Sequence, residues 1–174
     1  MNIFAAPAVS AWLVLRSVVF SIAFAGTFIV YLPWAWFGAW RRPIAFGDLV
    51  AWLGFAAIAA GTSLVVACIV EFARRGRGTP APMDAPRQLV VHGPYRYVRN
   101  PMYLGAVVAL LGQLALAPSR GLAVYIAAWF AAISVLVVAY EEPTLRERFG
   151  VSYERYTRHV RRWIPRFGRP YDGE

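Results

Sequence analysis

The sequence predicts an all-α polytopic membrane protein with about four transmembrane helices and a C-terminal amphipathic helix on the cytoplasmic side. Three observations lead there. Of 174 residues, 59% are hydrophobic and only 16% charged, whereas an average soluble domain is roughly 45–50% apolar. The apolar residues fall into four long uncharged runs, and the charged residues gather between and after them. A soluble globule of this length has too little interior to hide so much apolar surface. The same composition excludes disorder, and a single cysteine, Cys68, excludes a disulfide scaffold.

The runs are Ser17 to Trp40, Leu49 to Val70, Met102 to Pro118 and Gly121 to Tyr140, each near the roughly 20 residues that cross hydrocarbon. The first contains Ala23-Phe24-Ala25, which resembles a signal-peptidase site, but the run continues past it and only Arg16 precedes it, so an uncleaved helix is expected. The third is the shortest and carries Gln113, which leaves room for a tilted, buried or partly re-entrant segment. Small residues recur every four positions at Gly105 and Ala109, and at Ala123, Ala127 and Ala131, as in rows that let helices approach closely.

All 18 basic residues are arginine, against nine acids, for a net charge of +9. A nucleic-acid binder would carry them on a soluble face; here they sit beside membrane runs, where anionic headgroups are the partner. Six arginines lie from Phe72 to Pro101 and eight after Tyr140, against two from Arg41 to Asp48 and one at Arg120. The positive-inside rule then places the long loop, the tail and both termini in the cytoplasm. Trp34, Trp36, Trp40 and Trp52 cluster near the opposite interface, where amphipathic rings are favoured.

The chain reads as one membrane domain over residues 1–174: two helices in 1–71, a cytoplasmic loop in 72–101, two helices in 102–140 and a covering tail in 141–174. Gly76 to Pro82 and Pro86 mark irregular linker within the loop. In the tail, Leu145, Phe149, Tyr153, Tyr156, Val160 and Trp163 follow at spacings of 4, 4, 3, 4 and 3 with arginines between them. That predicts an amphipathic helix lying on the membrane surface or packing over a site between the helices.

Chemistry is concentrated in two places. The first runs from His92 through Gly93-Pro94-Tyr95-Arg96-Tyr97-Val98-Arg99 to Asn100-Pro101-Met102-Tyr103. Gly93-Pro94 makes a turn; Pro101 suits the first turn of a helix and Asn100 its N-cap. Free N–H groups at a helix start, with Arg99, can receive a carboxylate, and Tyr95, Tyr97 and Tyr103 offer faces to a cation. The second is Glu141-Glu142, followed by Pro143. Adjacent acids at the C-terminal end of a helix oppose its dipole and repel one another, so they call for cationic or hydroxyl partners: Arg146, a loop arginine, or a ligand ammonium or diol.

If the two clusters meet at the cytoplasmic interface, they suit a zwitterionic, partly apolar molecule such as S-adenosylmethionine. Its sulfonium is an activated methyl donor that asks for alignment and exclusion of water more than acid–base machinery. There is no Gly-rich phosphate loop, and two histidines, His92 and His159, are too few for a histidine-based metal centre.

The motifs Gly93-Pro94-Tyr95, Arg99-Asn100-Pro101-Met102-Tyr103 and Glu141-Glu142 with Leu145, Phe149-Gly150, Tyr153 and Tyr156 resemble those of the isoprenylcysteine carboxyl methyltransferase and phospholipid methyltransferase family of integral-membrane enzymes. The likeness spans Gln88 to Pro165; the first two helices match only in being apolar. The resemblance implies S-adenosylmethionine as cofactor, enclosed between the last helices and cytoplasmic segments, with the acceptor arriving from the bilayer. It implies cofactor-binding positions at Gln88, Leu89, Val90, Tyr95, Asn100, Pro101, Met102, Tyr103 and Glu141, with His92, Arg99 and Glu142 beside them, and no general base is assigned. Two positions depart from the pattern. Asn100 stands where the family usually has histidine, and Val137 where the isoprenylcysteine branch has an arginine for the acceptor. A small amphiphile with an amine, thiol or carboxylate nucleophile is therefore expected in place of a prenylated protein. The alternative from another class is a small four-helix membrane transporter or a non-catalytic assembly protein, which predicts a charged residue deep within a helix.

Overall fold

The computed structural model describes residue 19 and residues 22–38, 48–72, 74, 88–168 and 170–173. The start of the first apolar run, the Arg41–Arg42 turn and the Gly76–Pro86 linker lie outside the described residues.

Every regular element among the described residues is helical. We name them α1 (Ile22–Phe37), α2 (Leu49–Glu71), α3 (Pro101–Leu116), α4 (Arg120–Leu136), α5 (Glu142–Phe149) and α6 (Val151–His159). Helix α4 runs on through a π turn, Val137–Glu141, into α5, making one helix of 30 residues. That helix and α2 are long and apolar enough to cross a bilayer; α1 and α3 are shorter apolar helices. Asp48 caps α2 by accepting from the Val50 and Ala51 N–H groups, and Ser119 caps α4 by accepting from Leu122.

Helices α2 and α3 pack antiparallel at backbone contact. Gly54 and Gly61 on α2 face Gly112 and Gly105 on α3. A methyl at Gly61 would overlap the Gly105 carbonyl oxygen and stand 2.6 Å from the Ala109 nitrogen; one at Gly112 would stand 2.6 Å from the Gly54 oxygen. The Gly105–Ala109 row therefore does bring helices together. The Ala123–Ala127–Ala131 row does not, since all three are exposed among the described residues. The buried side of α4 is instead Leu122, Ile126, Trp129 and Ile133, which with Val137 packs on Ala106 and Leu110 of α3.

Helix α1 carries a π turn at Gly26–Tyr31 with a physical cause in the sequence. Pro33 has no N–H, so the carbonyls that would bond to it in α or π register, those of Ile29 and Phe28, are left over. Side chains of neighbouring helices donate to them: Gln113 Nε2 to the Ile29 oxygen and the Tyr125 hydroxyl to the Phe28 oxygen, each at 2.7 Å. Gln113 is thus a bundle residue, 1% exposed, and its Oε1 has no hydrogen-bond partner among the described residues.

The tail departs from a single helix. Gly150, at φ +48° and ψ −124°, divides α5 from α6, and α6 stops at His159. The apolar row still shares one face: Leu145, Phe149, Tyr153, Tyr156 and Val160 pack on Leu89, Val91 and Tyr171. That face is spent inside the protein. Trp163 leaves the row and packs on Phe130 of α4, ring centroids 4.9 Å apart.

Candidate functional site

The loop before α3 is shaped by Gly93. Its φ of +56° is a left-handed conformation that suits glycine, and a methyl there would meet the Glu71 side chain at 2.8 Å. Pro94 then starts a 3-10 turn, Gly93–Arg96, closed by Tyr95 N–H on the His92 oxygen. Tyr95 points inward: it is buried with Cys68 and Val90, hydrogen-bonds the Cys68 thiol and lies 5.6 Å from the Phe72 ring. Its carbonyl accepts from the Tyr156 hydroxyl at 2.7 Å. Burial pushes the hydroxyls of Tyr95, Tyr153 and Tyr156 above the usual tyrosine range, keeping all three as protonated donors.

The segment after α6 is stitched along this loop as a strap. Arg99 N–H donates to the Arg161 oxygen at 2.9 Å, Asn100 Nδ2 to the Arg162 oxygen at 3.2 Å, and Arg166 N–H to the Tyr97 oxygen at 2.9 Å. Further on, Arg96 and Tyr171 exchange two hydrogen bonds through Arg96 Nε and the Tyr171 N–H, and Arg96 pairs with Asp172. Asn100 does occupy the N-cap position of α3, but its side chain makes no cap bond; the amide is turned to the strap.

The two sequence clusters come together. The Tyr103 hydroxyl donates to Glu141, and Arg99 Nη1 lies 3.2 Å from Glu142 Oε1. The adjacent carboxylates have different partners. Glu142, 6% exposed, is held by Arg99 and by two bonds from Arg162, Nε to Oε1 at 2.6 Å and Nη2 to Oε2 at 2.8 Å. Burial opposes its charge, yet the Arg162 hydrogen bonds and the Arg99 and Arg162 charges hold its carboxyl below the usual carboxylate range. The same pairing raises Arg162. Glu141 bonds a neutral hydroxyl, and its charge has no direct guanidinium partner among the described residues. A π turn ending at Glu141, with Pro143 beyond it, carries the pair at the junction of α4 and α5.

The other sequence-predicted positions are distributed around this junction. Val90 is buried in the Cys68–Tyr95 cluster, Met102 packs against it, and Leu89 lies under α6. Pro101 is buried at the start of α3, His92 is half-buried and Gln88 is exposed. Tyr103 lies 6.4 Å from the Trp129 ring, and Tyr97 lies 6.0 Å from that of Phe167. Arg99 is also hydrogen-bonded to Tyr153, while its buried Nε has no hydrogen-bond partner among the described residues. Of the partners expected for the glutamates, the loop arginine is Arg99; the tail adds Arg162, and Arg146 acts on Glu142 through its charge. Nothing in the spacing distinguished Arg162 from the other tail arginines, and Trp163 was read as one more residue of a helix face.

A profile of the phospholipid methyltransferase family matches residues 49–152, and the chain belongs to that family. The match begins at α2, earlier than the Gln88 at which the motif likeness starts, and ends before the strap. No curated protein and no solved structure matches the chain. A membrane methyltransferase is what the family implies, and the transporter alternative gains no support from it.

Proposed function

We propose that the protein is an S-adenosylmethionine-dependent integral-membrane methyltransferase acting on a small amphiphile that partitions into the bilayer. The single observation that carries the reading is the meeting of Tyr103 and Arg99, at the start of α3, with Glu141 and Glu142 at the end of α4. The donor set fits the cofactor. Glu141 offers a carboxylate not already matched to an arginine, suited to an ammonium or a ribose diol; α3 starts without a side-chain cap; Arg99 keeps a spare buried N–H. The bound cofactor would supply an activated methyl group.

The chain's own residues supply position. Glu142 and Arg162 neutralise each other and anchor the strap, and Tyr103 orients Glu141. Tyr95 and Met102 brace the loop from behind through the Cys68 cluster. Water is excluded by Trp129 beside Tyr103 and by Trp163 against Phe130. The arginine distribution supports a cytoplasmic site with both termini on that side. Val137, 1% exposed and packed within the α3–α4 core, leaves no charged group where an acceptor-binding arginine would stand, which favours an amphiphile recognised by other means.

Calorimetric titration of the detergent-solubilised protein with S-adenosylhomocysteine tests the reading. Saturable binding is expected, with Glu141→Ala weakening it at least tenfold; a folded sample that takes up no ligand overturns it.

A further inference from the structure

The strap from Arg161 to Gly168 carries two apolar side chains that the described residues leave largely exposed. Ile164 is 61% exposed and Phe167 78%, although Arg161, Arg162 and Arg166 around them are bonded to the site loop. Trp163, next to Ile164, packs on Phe130 of α4, roughly three turns before Glu141. The strap therefore lies along the flank of a helix apolar enough to cross the membrane, and α6 has no apolar face left to do this, having used it on Leu89 and Val91. Charge surrounds the exposed apolar pair. Arg155, Arg158, Arg161 and Arg166 are exposed, and no acidic residue occurs between Glu154 and Asp172. Apolar tips flanked by arginines suit the boundary between acyl chains and phosphates.

We propose that the strap is an interfacial docking surface whose partner is the anionic headgroup layer of the bilayer. Ile164 and Phe167 enter the acyl boundary while Arg161 and Arg166 engage phosphates. The inference rests on the membrane reading above and not on methyl transfer. Docking there also holds the strap where its Arg161 and Arg162 carbonyls meet Arg99 and Asn100, so the lipid surface supports the geometry at Glu142.

The test places an environment-sensitive fluorophore on Ile164→Cys; the native Cys68 is fully buried. The full-length protein is reconstituted into vesicles of phosphatidylcholine alone or mixed with phosphatidylglycerol. Flotation with carbonate-washed vesicles reports membrane insertion separately, and S-adenosylhomocysteine binding reports the site. The expected result is emission shifted to shorter wavelength, and stronger quenching by spin-labelled lipid, in the anionic vesicles. High salt and the Arg161→Gln/Arg166→Gln pair should remove the difference, and the corresponding lysine pair should restore it. These arginines are exposed, so the fold survives their replacement. Water-like emission in both vesicles of an inserted protein overturns the proposal. So does an anionic shift that the glutamine pair leaves intact, or shielding already present in detergent with cross-links between copies.

Discussion

Arg162 grips Glu142 with two parallel hydrogen bonds, although twenty residues separate them and one lies in the strap while the other begins α5. This pairing joins the end of the long helix to a strap that the family match does not include. Removing one member leaves a buried charge short of a partner, so Arg162→Gln should destabilise the detergent-solubilised protein by about 3 kcal/mol. Combining it with Glu142→Gln should cost less than the sum of the single changes, as read from thermal unfolding in a double-mutant cycle.

Acid should act through the same carboxylate. Glu142 is held below its ordinary value in the folded protein, so its contribution is complete above the unfolded pKa of about 4.3 and disappears as pH falls through the lower folded value. Melting temperature followed from neutral pH downward should fall below about pH 4, and Glu142→Gln should flatten that part of the profile.

The glycine seam gives a sharp steric contrast. Gly61→Ala forces its methyl onto the α3 backbone and should cost about 1–3 kcal/mol. Gly168→Ala, with nothing within 4 Å, should leave unfolding unchanged within about 0.5 kcal/mol. Equal effects from the two would show that α2 and α3 are not packed as described.

Gln113→Leu strands the Ile29 carbonyl in an apolar surrounding and should cost about 1–3 kcal/mol. Tyr125→Phe should do the same to the Phe28 carbonyl. Faster hydrogen exchange in residues 26–33 than in α2 would locate the damage at the π turn.

Much of this was legible in the sequence because apolar length and motif order survive without coordinates. The helical class, the meeting of Arg99 and Tyr103 with the glutamate pair, and the shared face from Leu145 to Val160 all follow from such patterns. What escaped depended on direction. A row of alanines at positions 123, 127 and 131 looks like a packing seam, but bulkier Ile126, Trp129 and Ile133 win the interior. Asn100 has the right place for a cap, yet a strap carbonyl takes its amide. Gly150 reads as part of a periodic helix until its backbone angles show the break. The two π turns, ahead of Pro33 and Pro143, leave no mark in the apolar pattern, and which side chains meet the orphaned carbonyls depends on the three-dimensional neighbours.

Because the backbones of α2 and α3 touch through bare glycines, these two rods behave as a single plank. Neither sliding nor parting is open to them without breaking the seam along its length. Any rearrangement of the bundle therefore has to be carried by the other helices, with α2 and α3 moving together.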